Sequence, residues 1–89
     1  MRLIGRDKLM RASADVDCWL RNWCAEMVRA YWRRPEDITD QFPNACVRPD
    51  GDCLFPVGAS GYAVRVRIAF PQNIALILEM NKTDIPYGS

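Results

Sequence analysis

From Val16 to Tyr31 the apolar residues recur at helical spacings. Val16, Leu20, Trp23, Met27 and Tyr31 form one stripe, which predicts an α-helix over Asp15 to Trp32. Ser13 or Asp15 can cap its start. The other side carries Asp17, Arg21, Asn22, Glu26 and Arg29, the composition of a solvated face. Arg33 and Arg34 suit the negative end of the helix dipole, and Pro35 then stops this helix or opens the next. "PEDITDQF", with acids in its first turn, reads as a short second helix. Upstream, "MRLI" has the character of a short strand and "GRDKLMRA" that of a first helical turn or two.

After Pro43 the period changes from that of a helix to that of a strand. "ACVR", "PDGD" and "CLFPV" read as a hairpin, because Asp-Gly tolerates the positive φ values of a tight two-residue turn. In "GYAVRVRIAF" the apolar Val64, Val66, Ile68 and Phe70 alternate with a second face that carries Arg65 and Arg67. "IALILEM", residues 74 to 80, is almost continuously apolar, as a central strand covered on one face and partly on the other would be. Helices followed by strands joined through short turns predict an α+β fold, with two or three N-terminal helices packed on a twisted antiparallel sheet. One domain is expected over residues 1–89, with a helical layer at about 5–42, a sheet at about 43–80 and a tail at 81–89.

Composition narrows the functional classes. With 12 basic and 11 acidic residues the net charge is +1, so any anion site must be local rather than a property of the whole surface. No stretch approaches the roughly 20 apolar residues of a membrane span, and the start has no apolar run of signal-peptide length, so no membrane partner and a cytoplasmic location are expected. Cys18, Cys24, Cys46 and Cys53 match no zinc spacing, and there is no histidine. No metal and no cofactor is expected, and the cysteines read as buried thiols acting as small hydrophobes. Trp19, Trp23 and Trp32 read as core or helix-to-sheet contacts rather than base-stacking platforms. Arg6, Lys8 and Arg11 read as solvated charges.

Several fragments taken together carry a resemblance: "GRDKL", "YWRRPEDI", "FPNA" and "CLFPVGASGYAVRVRI". Their order and spacing, over Met1 to Glu79, resemble the HigB-type toxins of bacterial toxin-antitoxin systems, within the RelE-like superfamily. The resemblance implies a compact domain of two or three helices on a twisted antiparallel sheet. It implies cleavage of messenger RNA on the ribosome, silencing by an antitoxin with a helix-turn-helix domain (HigA-like), and Arg and Lys side chains on the sheet that face the RNA backbone. Arg67 falls where the family has a strand Lys or Arg, and Tyr62 matches as well. The chain departs from the family in three places. Tyr62-Ala63 stands where the family has Tyr-Arg, Leu78 where it has Arg, and Lys82-Thr83 where it closes with Thr-His.

A ribonuclease without metal must deprotonate a ribose 2′-hydroxyl, stabilise the phosphorane-like transition state and protonate the leaving oxygen. Arg65 and Arg67, two residues apart on one strand face, can supply the second function with forked donors that match phosphate. They cannot act as bases. Proton-transfer candidates are Glu79, Asp84, Lys82 and Tyr87 near the C-terminus, and Tyr62 on the strand. The expected catalytic set is Arg67, Arg65, Lys82 and Tyr62, and the expected RNA-binding set is Arg65, Arg67, Lys82 and Arg48. Two readings follow. One is a HigB-like, ribosome-dependent messenger RNA endonuclease that inhibits translation. The other is a catalytically degenerate RelE-fold binding module that engages an antitoxin-like protein or RNA without cutting it.

Overall fold

A computed structural model describes residues 1–9, 13–58 and 60–82. Among these residues the chain forms β1 (Arg2–Ile4), a 3-10 turn (Arg6–Lys8), α1 (Ala14–Arg29), α2 (Pro35–Gln41), β2 (Cys46–Val47), β3 (Asp52–Pro56), β4 (Tyr62–Ala69) and β5 (Ile74–Lys82). The fold is α+β, with two helices packed on a five-stranded sheet of order β1-β5-β4-β3-β2.

Helix α1 begins where Ser13 Oγ accepts from the backbone N–H of Val16 at 3.3 Å, satisfying one of the first-turn donors. Its stripe is buried at Val16, Leu20, Trp23 and Met27 but ends before Tyr31, which is 66% exposed. The chain leaves the helix at Ala30, and that exit carries Trp32 into the core. There its ring stacks on Phe55 and meets Phe42 edge-on, while Nε1 donates to Gln41 Oε1 at 3.0 Å. The α-amino group of Met1 donates to the carbonyls of Val28 (2.8 Å) and Ala30 (2.9 Å), a positive charge at the negative end of α1. At the start of α2, Asp37 Oδ2 reaches back to the N–H groups of Arg33 and Arg34.

The sheet is mixed rather than wholly antiparallel. β2 through β5 pair antiparallel, but β1 lies parallel along β5, with Leu3 opposite Ala75 and Arg2 N–H donating to Asn73 O at 2.9 Å. Without β1 the outer edge of β5 would leave a row of backbone donors and acceptors unpaired next to the core, and the N-terminal strand pairs with its first residues, Ile74 to Leu76. Alternation within a strand carries no information on its direction.

The β2–β3 hairpin turns through three residues rather than two. Arg48 N–H donates to Asp52 O at 2.8 Å, Gly51 N–H donates to Arg48 O at 3.1 Å, and Gly51 sits at φ +92°. Pro49, with its fixed φ, precedes a left-handed glycine, as in a type I turn closed by a bulge.

One face of the sheet meets the helices. Cys53, Phe55, Val64, Val66, Ala75 and Ile77 are buried there with Trp23, Met27, Trp32 and Ile38. Of the cysteines, only Cys53 is fully buried, and burial pushes its thiol pKa up to about 12. Cys24 is half-buried and likewise raised by desolvation, whereas Cys18 and Cys46 are exposed, contrary to the expectation of buried thiols. All four are free. Among the described residues no helix is long and apolar enough to cross a membrane.

Gly5 joins β1 to the 3-10 turn at φ +95°, and a Cβ there would lie 2.7 Å from Ile77 O. Gly51 has nearly the same φ, but nothing lies within 4 Å of its would-be Cβ. Gly51→Ala is therefore expected to cost only the left-handed penalty, about 1–2 kcal/mol. Gly5→Ala is expected to cost distinctly more, because the clash is with backbone. Urea midpoints of the two variants check this, and equal losses would show that β5 yields freely at Ile77.

Candidate functional site

The second face of the sheet gathers two arginines around one buried carboxylate, with a third arginine held beside them by Asp50. In the β3–β4 register Asp52 lies opposite Arg67 and Leu54 opposite Arg65, so these four side chains share a face. Asp52 is 0% exposed. Its Oδ2 accepts from Arg65 Nε at 2.7 Å and lies 2.6 Å from Arg65 Nη2, and its Oδ1 accepts from Arg67 Nε at 2.9 Å. A buried carboxylate needs such partners, and here the two arginines of β4 supply them. Their hydrogen bonds and charge, led by Arg67, hold the Asp52 pKa below the ordinary aspartate value of 3.8, and the same contact holds Arg65 more firmly in its charged form.

Neighbouring carboxylates complete the cluster. Arg65 Nη2 lies 3.5 Å from Asp50 Oδ2, Arg65 Nη1 lies 3.8 Å from Glu79 Oε1, and Arg48 Nε lies 4.0 Å from Asp50 Oδ2. Arg48, Arg65 and Arg67 thus stand against Asp50, Asp52 and Glu79, and the formal charges cancel. The outer nitrogens of Arg67 are the exception. The Arg67 side chain is 58% exposed, and among the described residues only its Nε meets a carboxylate.

A bulge in β5 sets this geometry. Arg65 pairs with Glu79 and Val66 with Ile77, which leaves Leu78 as the extra residue. In unbroken register Arg65 would face Leu78. The bulge delivers Glu79 instead and turns Met80 into the core, where it is 3% exposed. Beyond it Asn81 pairs with Ala63 on the arginine face. Ala63, Leu54, Arg48, Arg65, Glu79 and Asn81 line a shallow cleft of about 200 Å³.

Of the residues expected at a site, Arg48, Arg65 and Arg67 come together. Tyr62 and Lys82 do not join them: they pair with each other, in phase with Val64 and on the opposite side of the sheet, and Tyr62 packs against the core. Glu79 is in the cluster, whereas Thr83, Asp84 and Tyr87 lie outside the described residues. Sequence reasoning missed Asp52, Asp50 and Asn81. A signal existed for Asp52: closing the hairpin in register with β4 puts it directly across from Arg67. Among the described residues no group of three or more His, Cys, Asp or Glu side chains is placed to hold a metal ion.

The site ties stability to acidity. Asp52 and Asp37 both have depressed pKa values, Asp37 chiefly through the Arg33 backbone N–H. A carboxylate with a lowered folded-state pKa stabilises the fold above its unfolded pKa, and that contribution disappears as pH falls through the folded value. The urea midpoint is therefore expected to hold between pH 7 and 5 and to fall once the pH drops below 3.8, the ordinary value for both groups. Asp37→Asn should flatten part of the fall. An unchanged acid limb in that variant would refute its share.

No protein-family model matches this chain, and neither does any curated protein. What stands is a class defined by architecture and chemistry: a small α+β domain whose second sheet face carries an arginine cluster organised by a buried aspartate.

Proposed function

We propose that the protein is a HigB-like toxin of a type II toxin-antitoxin system. On this reading it is an endoribonuclease that cuts messenger RNA on the ribosome, inhibits translation in the cytoplasm and is silenced by a HigA-like antitoxin with a helix-turn-helix domain. The RelE-like identity of the fold is part of the proposal. The observation that carries it is Arg67. Its Nε is anchored to a buried carboxylate while the rest of the guanidinium meets no other carboxylate among the described residues, as a phosphate ligand requires. The layered α+β architecture and the fragments between Met1 and Glu79 that resemble these toxins support the same reading. Expression of the chain followed by mapping of transcript 5′ ends tests it: new ends and arrested growth are expected, and unchanged ends with normal growth refute it.

A second reading has its own observation. Arg65 is shared among Asp52, Asp50 and Glu79, so much of the cationic character of the face is neutralised, and the chain has no histidine. A RelE-fold module that binds an antitoxin-like protein or RNA without cutting accounts for that. Loss of acid-base help lowers a rate by roughly 10²- to 10⁴-fold, which a ribosome that positions the substrate can offset in part. Restoring the family residues with Ala63→Arg, Leu78→Arg and Thr83→His separates the two readings. Toxicity that appears only in the triple variant favours the module, and a toxic wild type removes the need for it.

A further inference from the structure

The cleft over Ala63 has a chemistry unlike that of a plain phosphate site. Its base is apolar, formed by buried Ala63 and half-buried Leu54, and its walls are Arg48, Arg65, Glu79 and Asn81. Arginine only donates, ionised glutamate only accepts, and asparagine does both. A phosphate, which only accepts, would meet the Glu79 carboxylate across the cleft. A planar ring bearing both donors and acceptors on its edge meets every wall with a complement. At about 200 Å³ the space is smaller than the roughly 300 Å³ at which pockets for larger ligands begin, and it suits a single ring system.

We propose that this cleft is a nucleobase pocket selective for guanine. Guanine alone among the four bases presents two adjacent donors, N1–H and the N2 amino group, that a carboxylate such as Glu79 accepts together, with O6 and N7 left as acceptors for the flanking guanidinium groups. Adenine offers that edge one amino donor beside an acceptor, which faces the carboxylate unfavourably. Unstacked RNA bases are read along this edge and stack on guanidinium planes. The β5 bulge supplies the selective group by bringing Glu79, in place of Leu78, beside Arg65. Ala63 leaves the room, where the resembled family has an arginine. The inference rests on the RNA-directed reading above.

Titration of the full chain with each of the four nucleoside monophosphates, followed by amide chemical shifts, tests the pocket. Hexamers of uridine carrying one central G or one central A distinguish a base within RNA from a free nucleotide. Guanosine monophosphate and the G-containing hexamer are expected to bind about tenfold more tightly than their adenine counterparts, with shifts at Ala63, Arg65 and Asn81. Glu79→Gln should bring that ratio close to one. Ala63→Arg, which fills the cleft, should abolish the shifts while circular dichroism stays that of the wild type. Equal binding of all four nucleotides, shifts elsewhere, or a ratio that survives Glu79→Gln would overturn the inference. Guanine selectivity with unchanged transcript ends refutes the nuclease and leaves the pocket. New ends with no guanine preference and indifferent nucleotide binding refute the pocket and leave the nuclease.

Discussion

Phe55→Ala is expected to lower the free energy of unfolding by about 3–5 kcal/mol. Phe55 is 1% exposed, on the helix-facing side of β3 next to its last residue, Pro56. Its ring lies 5.3 Å from Trp23 and 5.3 Å from Phe42, both edge-on, and stacks on Trp32 at 6.5 Å. It is thus the residue through which α1, the segment after it and α2's C-terminal cap all reach the sheet, and no neighbour can collapse into its place without breaking another ring contact. An 89-residue domain has a total stability on the order of 4–13 kcal/mol, so the loss takes a large share. Phe55→Leu retains most of the buried volume and forfeits chiefly the ring pairs, at about 0.5–1.5 kcal/mol each. Urea unfolding followed by tryptophan fluorescence checks both variants. A loss below 1 kcal/mol for the alanine would mean that the aromatic cluster does not hold the two layers together.

The boundary between what the sequence reveals and what it hides follows the range of the interactions. Helix α1 was legible because its stripe is local, and so was the cap at Ser13. Its end was not, since Tyr31 keeps the helical phase while Trp32 leaves it for ring contacts with Phe42 and Phe55, residues distant in sequence. The run at 74–80 announced a strand, but a continuously apolar run has no phase and so conceals the bulge at Leu78. The pairing of β1 with β5 depends on an edge that exists only after folding. At the site the arginines were legible through strand alternation. That same alternation puts Tyr62 in phase with Val64 and Val66, a sign that it and its partner Lys82 lie on the other side. Asp52 was hidden because "PDGD" carries turn chemistry, and only the register across the hairpin shows that its last residue faces the arginines.

Arg67 and Arg65 are expected to fail in different ways when each is replaced by alanine, because Asp52 holds them differently. Arg65 meets Asp52 through two nitrogens and touches Asp50 and Glu79, so its removal leaves a fully buried carboxylate with one partner and loosens three acidic groups at once. Its main effect should be a lower unfolding midpoint. Arg67 gives Asp52 only its Nε and is 58% exposed, which leaves its outer fork to a ligand. On the proposed function Arg67→Ala should reduce transcript cleavage by about 10²- to 10³-fold, as removal of one preorganised donor to a transition-state anion does. It should also lower the slope of log affinity against log salt for single-stranded RNA by about 0.7, the share of one phosphate contact. Arg67→Lys keeps the charge but loses the planar fork and the anchoring Nε. It is therefore expected to restore the salt slope without restoring cleavage. A lysine variant as active as wild type would reduce the role of Arg67 to bulk charge, and an alanine variant with an unchanged salt slope would take the RNA backbone away from this face of the sheet.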